Sequence, residues 1–234
     1  MSNFHDDLAL VPEQFSGRAR IFPLPNLVLF PHVIQPLHIF EPRFVEMFHD
    51  AIKDDRLIAM SLLEPGWESD YEGRPPIADV ACLGRVVTWQ AQENGRYNLL
   101  LLGLERVRVT RELPPARSFR EADVELLPDA YPHSGSELRP TLHHKLADSF
   151  ERLLPRIKDA EELFEQLSID NISLGTLTDV IAYALDLDLR LKQSLLAEPS
   201  VDRRATMLLS QLHAASRETR SLSLAGFPPA FSTN

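Results

Sequence analysis

The chain has 234 residues, with 24 basic and 34 acidic side chains and a formal net charge of −10. That length is enough for one large domain or two smaller ones that each bury an apolar core. Apolar residues make up 44% and charged residues 25% of the chain, which is ordinary globular usage and excludes wholesale disorder.

The 18 prolines divide the chain into two parts. They crowd residues 12–42 and 65–76 and become rare after residue 140. Interior proline breaks helices and removes a hydrogen-bond donor from central strands. We therefore predict short strands with irregular connections in the first part and helices in the second.

Strand-like segments follow one another from residue 20, with a single helix among them. The first segments are bounded by proline and cover residues 21–24, 27–30 and 33–40. Glu41-Pro42 then begins a helix, because proline is tolerated at the first helical position. Residues 57–63 are typical of a buried strand, and residues 64–76 form a long loop.

The clearest local signal is a hairpin. Residues 83–92 and 96–102 are strand-like and are joined across Asn94-Gly95, a dipeptide that supplies positive φ angles for a tight turn. Further strand-like residues follow up to position 127. Successive strands with one early helix predict a small, mainly antiparallel β pseudo-barrel or two packed sheets.

From about residue 134 the apolar residues recur at helical spacing, as Leu138, Leu142, Leu146 and Phe150 show. The whole chain is therefore predicted to be an α+β protein in which the β pseudo-barrel is followed by a helical bundle. The predicted divisions are an N-terminal arm, a β domain, a helical subdomain and a tail, covering residues 1–18, 19–129, 130–220 and 221–234.

Motifs for catalysis and for cofactor binding are missing from the sequence. It has no P-loop, no G-x-G-x-x-G after a strand and no G-x-S-x-G elbow. Cys82 is the only cysteine, which excludes an internal disulfide and a multi-cysteine zinc site. Among the eight histidines, His32 and His38 lack acidic partners at ligand spacing, and the adjacent His143 and His144 point too far apart on a helix to share one ion. We predict no catalytic residue, no metal and no cofactor.

Charge and hydropathy also restrict the partners. A chain with a net charge of −10 lacks the broad basic face that phosphate contacts need, so nucleic-acid binding is not expected. No apolar run approaches the roughly 20 residues of a transmembrane helix. The first seven residues have no base and no apolar stretch of the kind that a secretory signal carries. We expect a cytoplasmic protein that does not bind membranes.

Aromatic side chains in the long loop are candidates for partner binding. Trp67 and Tyr71 lie there, and large aromatic side chains are effective binding anchors. We predict that Phe40 and Phe44 contribute to the same surface, with Trp89 as a lesser candidate. The alternative is that Trp67 and Tyr71 fold back as a lid on the core.

Residues 21–44 read IFPLPNLVLFPHVIQPLHIFEPRF. This segment resembles the N-terminal substrate-binding domain of the Lon ATP-dependent proteases, and more closely the stand-alone bacterial proteins built on that domain. Gly103 and Arg106 are similar to a G-x-x-R element of the same family. The matching residues in the first segment are Pro23, Leu24, Val28, Phe30, Pro31, Pro36, Leu37, Ile39, Glu41, Pro42 and Arg43.

The resemblance implies a PUA-like pseudo-barrel followed by a helical bundle, and a role in recognising protein substrates. It also implies a member without the ATPase and peptidase modules of Lon, for which the label of protease would describe ancestry. We interpret the signature as mainly structural. Its prolines force extended bends, and Arg43 is expected to pair with Glu41 or with a loop carbonyl.

The resulting hypothesis is a non-catalytic module that binds unfolded or hydrophobic polypeptide segments, or a partner protein. Two alternatives stay open. One is an adaptor that delivers substrates in trans to a full-length Lon protease. The other is an unrecognised hydrolase that uses Cys82 or the acidic loop around Glu68.

Overall fold

The computed structural model describes residues 11–13, 15–152, 172–217 and 232–233. Contacts within the chain separate two units, one formed by Met1–Leu127 with Pro229–Asn234 and the other by Pro128–Pro228. Residues 1–10 of the predicted arm lie outside the described residues, as do residues 221–231 and 234 of the predicted tail.

The described part of the first unit contains strands and one α-helix. The helix α1 covers Pro42–Lys53. The strands are β1 (Arg18–Leu24), β2 (Ile34–Ile39), β3 (Leu57–Leu62), β4 (Val80–Ala91), β5 (Tyr97–Glu112), β6 (Arg120–Leu126) and β7 (Ser232–Thr233).

The strands form one sheet that closes on itself. Its order is β4-β3-β1-β6-β5-β2-β7, and β4 also pairs with β5, so β4, β3, β1, β6 and β5 make a ring. The pairs β1–β3 and β2–β7 are parallel, and the other pairs are antiparallel. The predicted mainly antiparallel pseudo-barrel with one early helix is therefore confirmed.

Small and medium apolar side chains fill the ring. Alternate residues of a strand point to the same face, so β1, β3, β4 and β6 each contribute two side chains separated by one residue to this core. The cluster consists of Ala19, Ile21, Leu57, Ala59, Ala81, Leu83, Leu104, Val107, Ala122 and Val124. Helix α1 begins at Pro42, as predicted, and buries Phe44, Met47, Phe48 and Ala51.

The proline-rich segment and β5 meet at Gly103. The Gly103 N–H donates to the Val33 carbonyl, and the His32 N–H donates to the Gly103 carbonyl, both at 2.8 Å. A Cβ atom on Gly103 would lie 2.1 Å from the carbonyl oxygen of Phe30. The glycine of the G-x-x-R element is needed here because backbone passes against backbone.

The predicted hairpin joins β4 to β5. Asn94 and Gly95 have φ angles of 60° and 72°, as the dipeptide predicted. Gln92 N–H donates to the Arg96 carbonyl at 2.8 Å and closes the loop. The hairpin brings together the two longest described strands, which supply the wall of the ring.

The second unit is helical in its described part. Its helices are α2 (Arg139–Glu151), α3 (Leu174–Ala184), α4 (Leu189–Ala197) and α5 (Val201–Arg217). Ser173 caps α3 by accepting from the Thr176 N–H at 3.0 Å, and Asp188 caps α4 by accepting from the Arg190 N–H at 2.9 Å. None of the described helices has the length and apolar character required to cross a membrane.

A buried ion cluster lies inside this second unit. The Arg204 side chain is fully buried and contacts Asp129 at 2.8 Å and Asp179 at 3.6 Å. It also donates to the Glu198 carbonyl at 3.0 Å. A Cβ atom on Gly175 would lie 2.1 Å from Asp129 Oδ2, so this glycine leaves room for the carboxylate.

Candidate functional site

Two of the predicted binding residues contact each other in the loop between β3 and β4. Trp67 begins a 3₁₀ turn at Trp67–Asp70, and Gly66 precedes it with a φ of 94°. The rings of Trp67 and Tyr71 pack edge to face with centroids 5.5 Å apart. Both residues are half-buried, so each keeps part of its surface exposed.

The two loop aromatics continue into the start of α1. The Arg43 guanidinium lies 4.7 Å from the centroid of the Tyr71 ring and 4.7 Å from that of Phe44. Such placement over aromatic faces is favourable. Trp67, Tyr71, Arg43 and Phe44 thus form a continuous series of contacts, which we call the aromatic–arginine row.

Hydrogen bonds hold this row in place. Tyr71 Oη donates to Glu41 Oε1 at 2.6 Å, and Arg43 Nε donates to Glu41 Oε2 at 2.9 Å. Arg43 Nη1 donates to the Tyr71 carbonyl at 3.0 Å. Arg43 therefore pairs both with Glu41 and with a loop carbonyl. Burial, together with the hydrogen bond to Glu41 and its charge, raises the pKa of Tyr71 to about 12.

A cavity of about 170 Å³ lies beside the row. Apolar side chains form part of its wall, and these are Pro23, Phe44, Pro115 and Phe119. Four arginines also line it, and they are Arg43, Arg74, Arg117 and Arg120. We call this cavity the arginine-lined cleft.

Glu112 on β5 holds two of these arginines. Arg120 Nε donates to Glu112 Oε2 at 2.9 Å, and Arg74 Nη2 donates to the same oxygen at 3.0 Å. Arg120 Nη1 also donates to the Pro75 carbonyl at 2.8 Å, which ties the end of the loop to β6. The loop is thus anchored at Tyr71 and again at Pro75.

Arg117 links the cleft to a second ion cluster. It contacts the Asp50 carboxylate on α1, and its guanidinium lies 5.4 Å from the centroid of the Phe119 ring. Asp50 also accepts from Arg20 Nε at 2.6 Å. Burial by itself raises the pKa of Asp50, but the hydrogen bonds and charges of Arg20 and Arg117 outweigh it, so the pKa lies below its usual value.

Glu112→Gln is expected to weaken the dependence of stability on acid pH. Burial raises the pKa of Glu112, but Arg120 and Arg74 outweigh this effect and lower it overall. A carboxyl with a lowered folded-state pKa contributes stability that is complete above the unfolded pKa, about 4.3 for glutamate, and is lost as the pH falls through the folded pKa. The free energy of unfolding should therefore fall more steeply below about pH 4.3 in the wild type than in the variant.

Urea unfolding followed by tryptophan fluorescence at several acid pH values measures this difference. Glu125→Gln is a suitable control, because Glu125 lies on the exposed side of the same sheet. If the free energy of unfolding changed equally with pH in the wild type and in Glu112→Gln, a lowered pKa of Glu112 in the folded state would be contradicted.

Phe40 and Trp89 lie apart from the aromatic–arginine row. The half-buried Phe40 packs beside His38 with ring centroids 5.8 Å apart. Trp89 lies on β4 and is 38% exposed. The rings of Trp89 and Phe48 pack edge to face with centroids 6.0 Å apart, and the Arg56 guanidinium lies 5.5 Å from the centroid of the Trp89 ring. The structure therefore brings Trp67, Tyr71 and Phe44 together, whereas Trp89 belongs to a different aromatic cluster.

The signature residues are mostly inside the first unit. Leu24 and Phe30 are 1% and 0% exposed, and Pro23 and Pro31 are also buried. Pro36 lies in β2 opposite Leu100 of β5. Pro42 occupies the first turn of α1. Pro23 contributes in addition to the wall of the arginine-lined cleft.

Sequence reasoning missed three arginines of the cleft, Arg74, Arg117 and Arg120. The segment 114–120, which reads PPARSFR, carries two of them between β5 and β6. Prolines followed by arginines and an aromatic residue in one short segment are the signal that could have identified this surface. Arg74 had no comparable signal, because it follows the acidic part of the loop.

The residues proposed for a hydrolase lie in two different environments of the first unit. Cys82 lies on β4 with 0% exposure, in the position of a small buried apolar side chain. Glu68 is exposed in the 3₁₀ turn. Within the described ranges, no three or more His, Cys, Asp or Glu side chains are grouped so that they could hold a metal ion.

Two curated relatives are similar to most of this chain. It is 30% identical over 210 residues to Lon protease 2 of Myxococcus xanthus, covering 87% of this chain and 24% of that protein. It is 26% identical over 200 residues to Lon protease 1 of Bdellovibrio bacteriovorus, covering 84% of this chain and 24% of that protein. The chain thus spans about a quarter of the length of these relatives.

Solved structures share the fold. The crystal structure of a Lon N-terminal domain protein from Xanthomonas campestris matches with a TM-score of 0.61 and 25% identity, covering 82% of this chain and 97% of that one. The N-terminal domain of the Mycobacterium avium complex Lon protease matches with a TM-score of 0.65 and 14% identity, covering 84% of this chain and 98% of that one.

The family comparison includes both the signature segment and the cleft. Residues 18–214 match the family described as the ATP-dependent protease La (LON) substrate-binding domain. The resemblance noted for residues 21–44 is confirmed, and so is the mixed β and helical fold that it implied. This chain belongs to the LON substrate-binding domain family.

Proposed function

We propose that this protein is a non-catalytic module that binds unfolded or apolar polypeptide segments in the arginine-lined cleft and along the aromatic–arginine row. The observation that supports the proposal is the continuity of the two features. Arg43 and Phe44 line the 170 Å³ cavity and also end the row that begins at the partly exposed Trp67. A pocket that can take one side chain of a bound polypeptide therefore adjoins an aromatic surface that can take the neighbouring side chains of that polypeptide.

The chemistry of these residues suits binding. Apolar walls with a few polar groups are typical of ligand sites, and partly exposed tryptophan, tyrosine and arginine dominate the energy of many protein interfaces. Hydrogen bonds from Tyr71 and Arg43 to Glu41 hold the row in position before a partner arrives. Such preorganisation reduces the entropy lost on binding.

An adaptor function is a second proposal, and it is supported by the match to the N-terminal part of Lon proteases. In this proposal the bound polypeptide is passed to a separate full-length Lon protease. Co-purification with Lon from the native host, and faster degradation of an unfolded substrate by Lon when this protein is added, are the expected results. Unchanged degradation with intact substrate binding would leave a binding module without adaptor function.

Trp67→Ala is expected to weaken binding of an unfolded polypeptide by about 10-fold, which corresponds to about 1.4 kcal/mol. Removing this ring deletes the exposed end of the row, whereas Tyr71, Arg43 and Phe44 keep their mutual contacts. The measurement is fluorescence anisotropy with a labelled, permanently unfolded protein and no ATP.

Trp89→Ala is the matched control. It removes the same side chain from a different aromatic cluster of the same unit, at a residue that is 38% exposed. The proposal requires its affinity to stay close to that of the wild type. Absence of saturable binding by the wild type, or a greater loss for Trp89→Ala than for Trp67→Ala, would overturn it.

A further inference from the structure

The charges on the walls of the cleft differ from those of the chain as a whole. The chain has a net charge of −10, whereas four arginines and a single glutamate, Glu72, line this cavity. Surrounding carboxylates pair with these arginines but do not line the cavity, and they belong to Glu41, Asp50, Glu112 and Glu121. Positive groups are thus gathered at one position of an acidic protein.

The four arginines fall into two pairs. Arg43 and Arg120 have side chains only 18% and 8% exposed, and each is held by a carboxylate and a loop carbonyl. Arg74 and Arg117 are more accessible, at 31% and 44%. The first pair is part of the framework, whereas the second pair is open to a ligand.

Arg74 and Arg117 have hydrogen-bonding capacity for a ligand. Among the described contacts, Arg74 donates a side-chain bond to Glu112. Arg117 donates one to Asp50, and its Nε also lies 3.8 Å from Glu121 Oε2. A guanidinium carries five N–H donors in a planar fork that matches a carboxylate. Each of these side chains can therefore accept a further carboxylate without giving up its present one.

We propose that the cleft prefers polypeptide segments in which an acidic side chain stands next to an apolar or aromatic one. This inference rests on the proposed function and names the class of segment that the site takes. The apolar side chain packs on the exposed Pro115 of the cavity wall, and the carboxylate receives charge-assisted hydrogen bonds from Arg74 and Arg117. Charge complementarity of this kind mainly determines which segments bind.

Three short labelled peptides test the preference, and they differ only beside a central phenylalanine. One has aspartate and glutamate there, the second asparagine and glutamine, and the third lysine. Fluorescence anisotropy in low salt should show the acidic peptide binding about 10-fold more tightly than its amide counterpart, or about 1.4 kcal/mol. Salt should reduce this ratio because the open arginines are exposed to solvent.

Charge-matched variants assign the effect to the cleft. Arg74→Gln and Arg117→Gln should each lower the ratio of the affinity for the acidic peptide to the affinity for the amide peptide. Arg111→Gln removes the same charge from a 73% exposed side chain of β5 that does not line the cleft, and it should have no effect. Glu72→Gln should raise the ratio, because Glu72 is the lining carboxylate.

The outcomes separate this inference from the proposed function. Equal binding of the acidic and amide peptides, or tightest binding of the lysine peptide, overturns the preference but leaves polypeptide binding in place. An equal effect of Arg111→Gln and Arg117→Gln also overturns it, because the cause would then be the overall charge. Failure of all three peptides and of unfolded protein to bind overturns both.

Discussion

Gly103→Ala is expected to lower the free energy of unfolding of the first unit by about 3 kcal/mol. The added Cβ would lie 2.1 Å from the Phe30 carbonyl oxygen and 2.9 Å from its carbonyl carbon. Neither strand can move away easily, because Gly103 bonds to both His32 and Val33 at 2.8 Å. The conflict is between two backbones, and no side-chain rotation relieves it.

Urea unfolding followed by tryptophan fluorescence measures this effect in the correct unit. Trp67 and Trp89 are the only tryptophans, and both lie in the first unit. Gly73→Ala is the matched control, since its Cβ would meet only the carboxylate end of the exposed Asp70 side chain, which can rotate. The control should change stability by less than about 0.5 kcal/mol. Equal midpoints for Gly103→Ala and the wild type would contradict the argument.

Arg204→Met is expected to destabilise the second unit by about 3–5 kcal/mol, the usual effect of removing one partner from a buried ion pair. The Arg204 side chain is 0% exposed, and that of Asp179 is 1% exposed. Methionine fills similar volume but removes the cation that contacts both Asp129 and Asp179. The buried Asp179 carboxylate would then remain in a low-dielectric interior without this cation.

Arg203→Met provides the comparison for this variant. Arg203 is adjacent in α5 and 75% exposed, and it pairs with Glu198 at 3.1 Å. An exposed pair of this kind contributes at most about 1 kcal/mol. Far-UV circular dichroism follows the second unit, because α2 to α5 lie there and only α1 lies in the described part of the first. Similar midpoints for the two variants would contradict a stabilising role for the buried cluster.

The role of the signature segment follows from its contacts. The backbone of Phe30 lies beside Gly103, and His32 and Val33 form backbone hydrogen bonds with it. The proline-rich segment is thus attached to β5 at this glycine. Glu41 and Arg43 connect the start of α1 to the loop that carries Tyr71. The same segment therefore closes the β unit and positions the residues proposed for binding.

Local sequence determined most of the elements. Pro42 specifies the beginning of α1 because its ring fits the first helical turn, where the N–H that proline lacks would have no acceptor within the helix. Asn94 and Gly95 specify the hairpin because both tolerate positive φ. Leucines at helical spacing specify the helices of the second unit. Each of these rules depends on neighbouring residues alone.

The candidate site was decided only by the tertiary structure. Trp67, Phe44 and Trp89 are all large aromatic residues in the sequence. In the structure Trp67 is half-buried, Phe44 is 1% exposed, and Trp89 is 38% exposed in a separate cluster. The parallel pairing of β1 with β3 and the closure of β4 on β5 then bring the loop, α1 and the segment 114–120 together. Composition and periodicity determined that the chain is a β unit followed by helices with no cofactor motif. Which charged and aromatic side chains meet was decided by long-range packing, because burial and ion pairing depend on residues far apart in the chain.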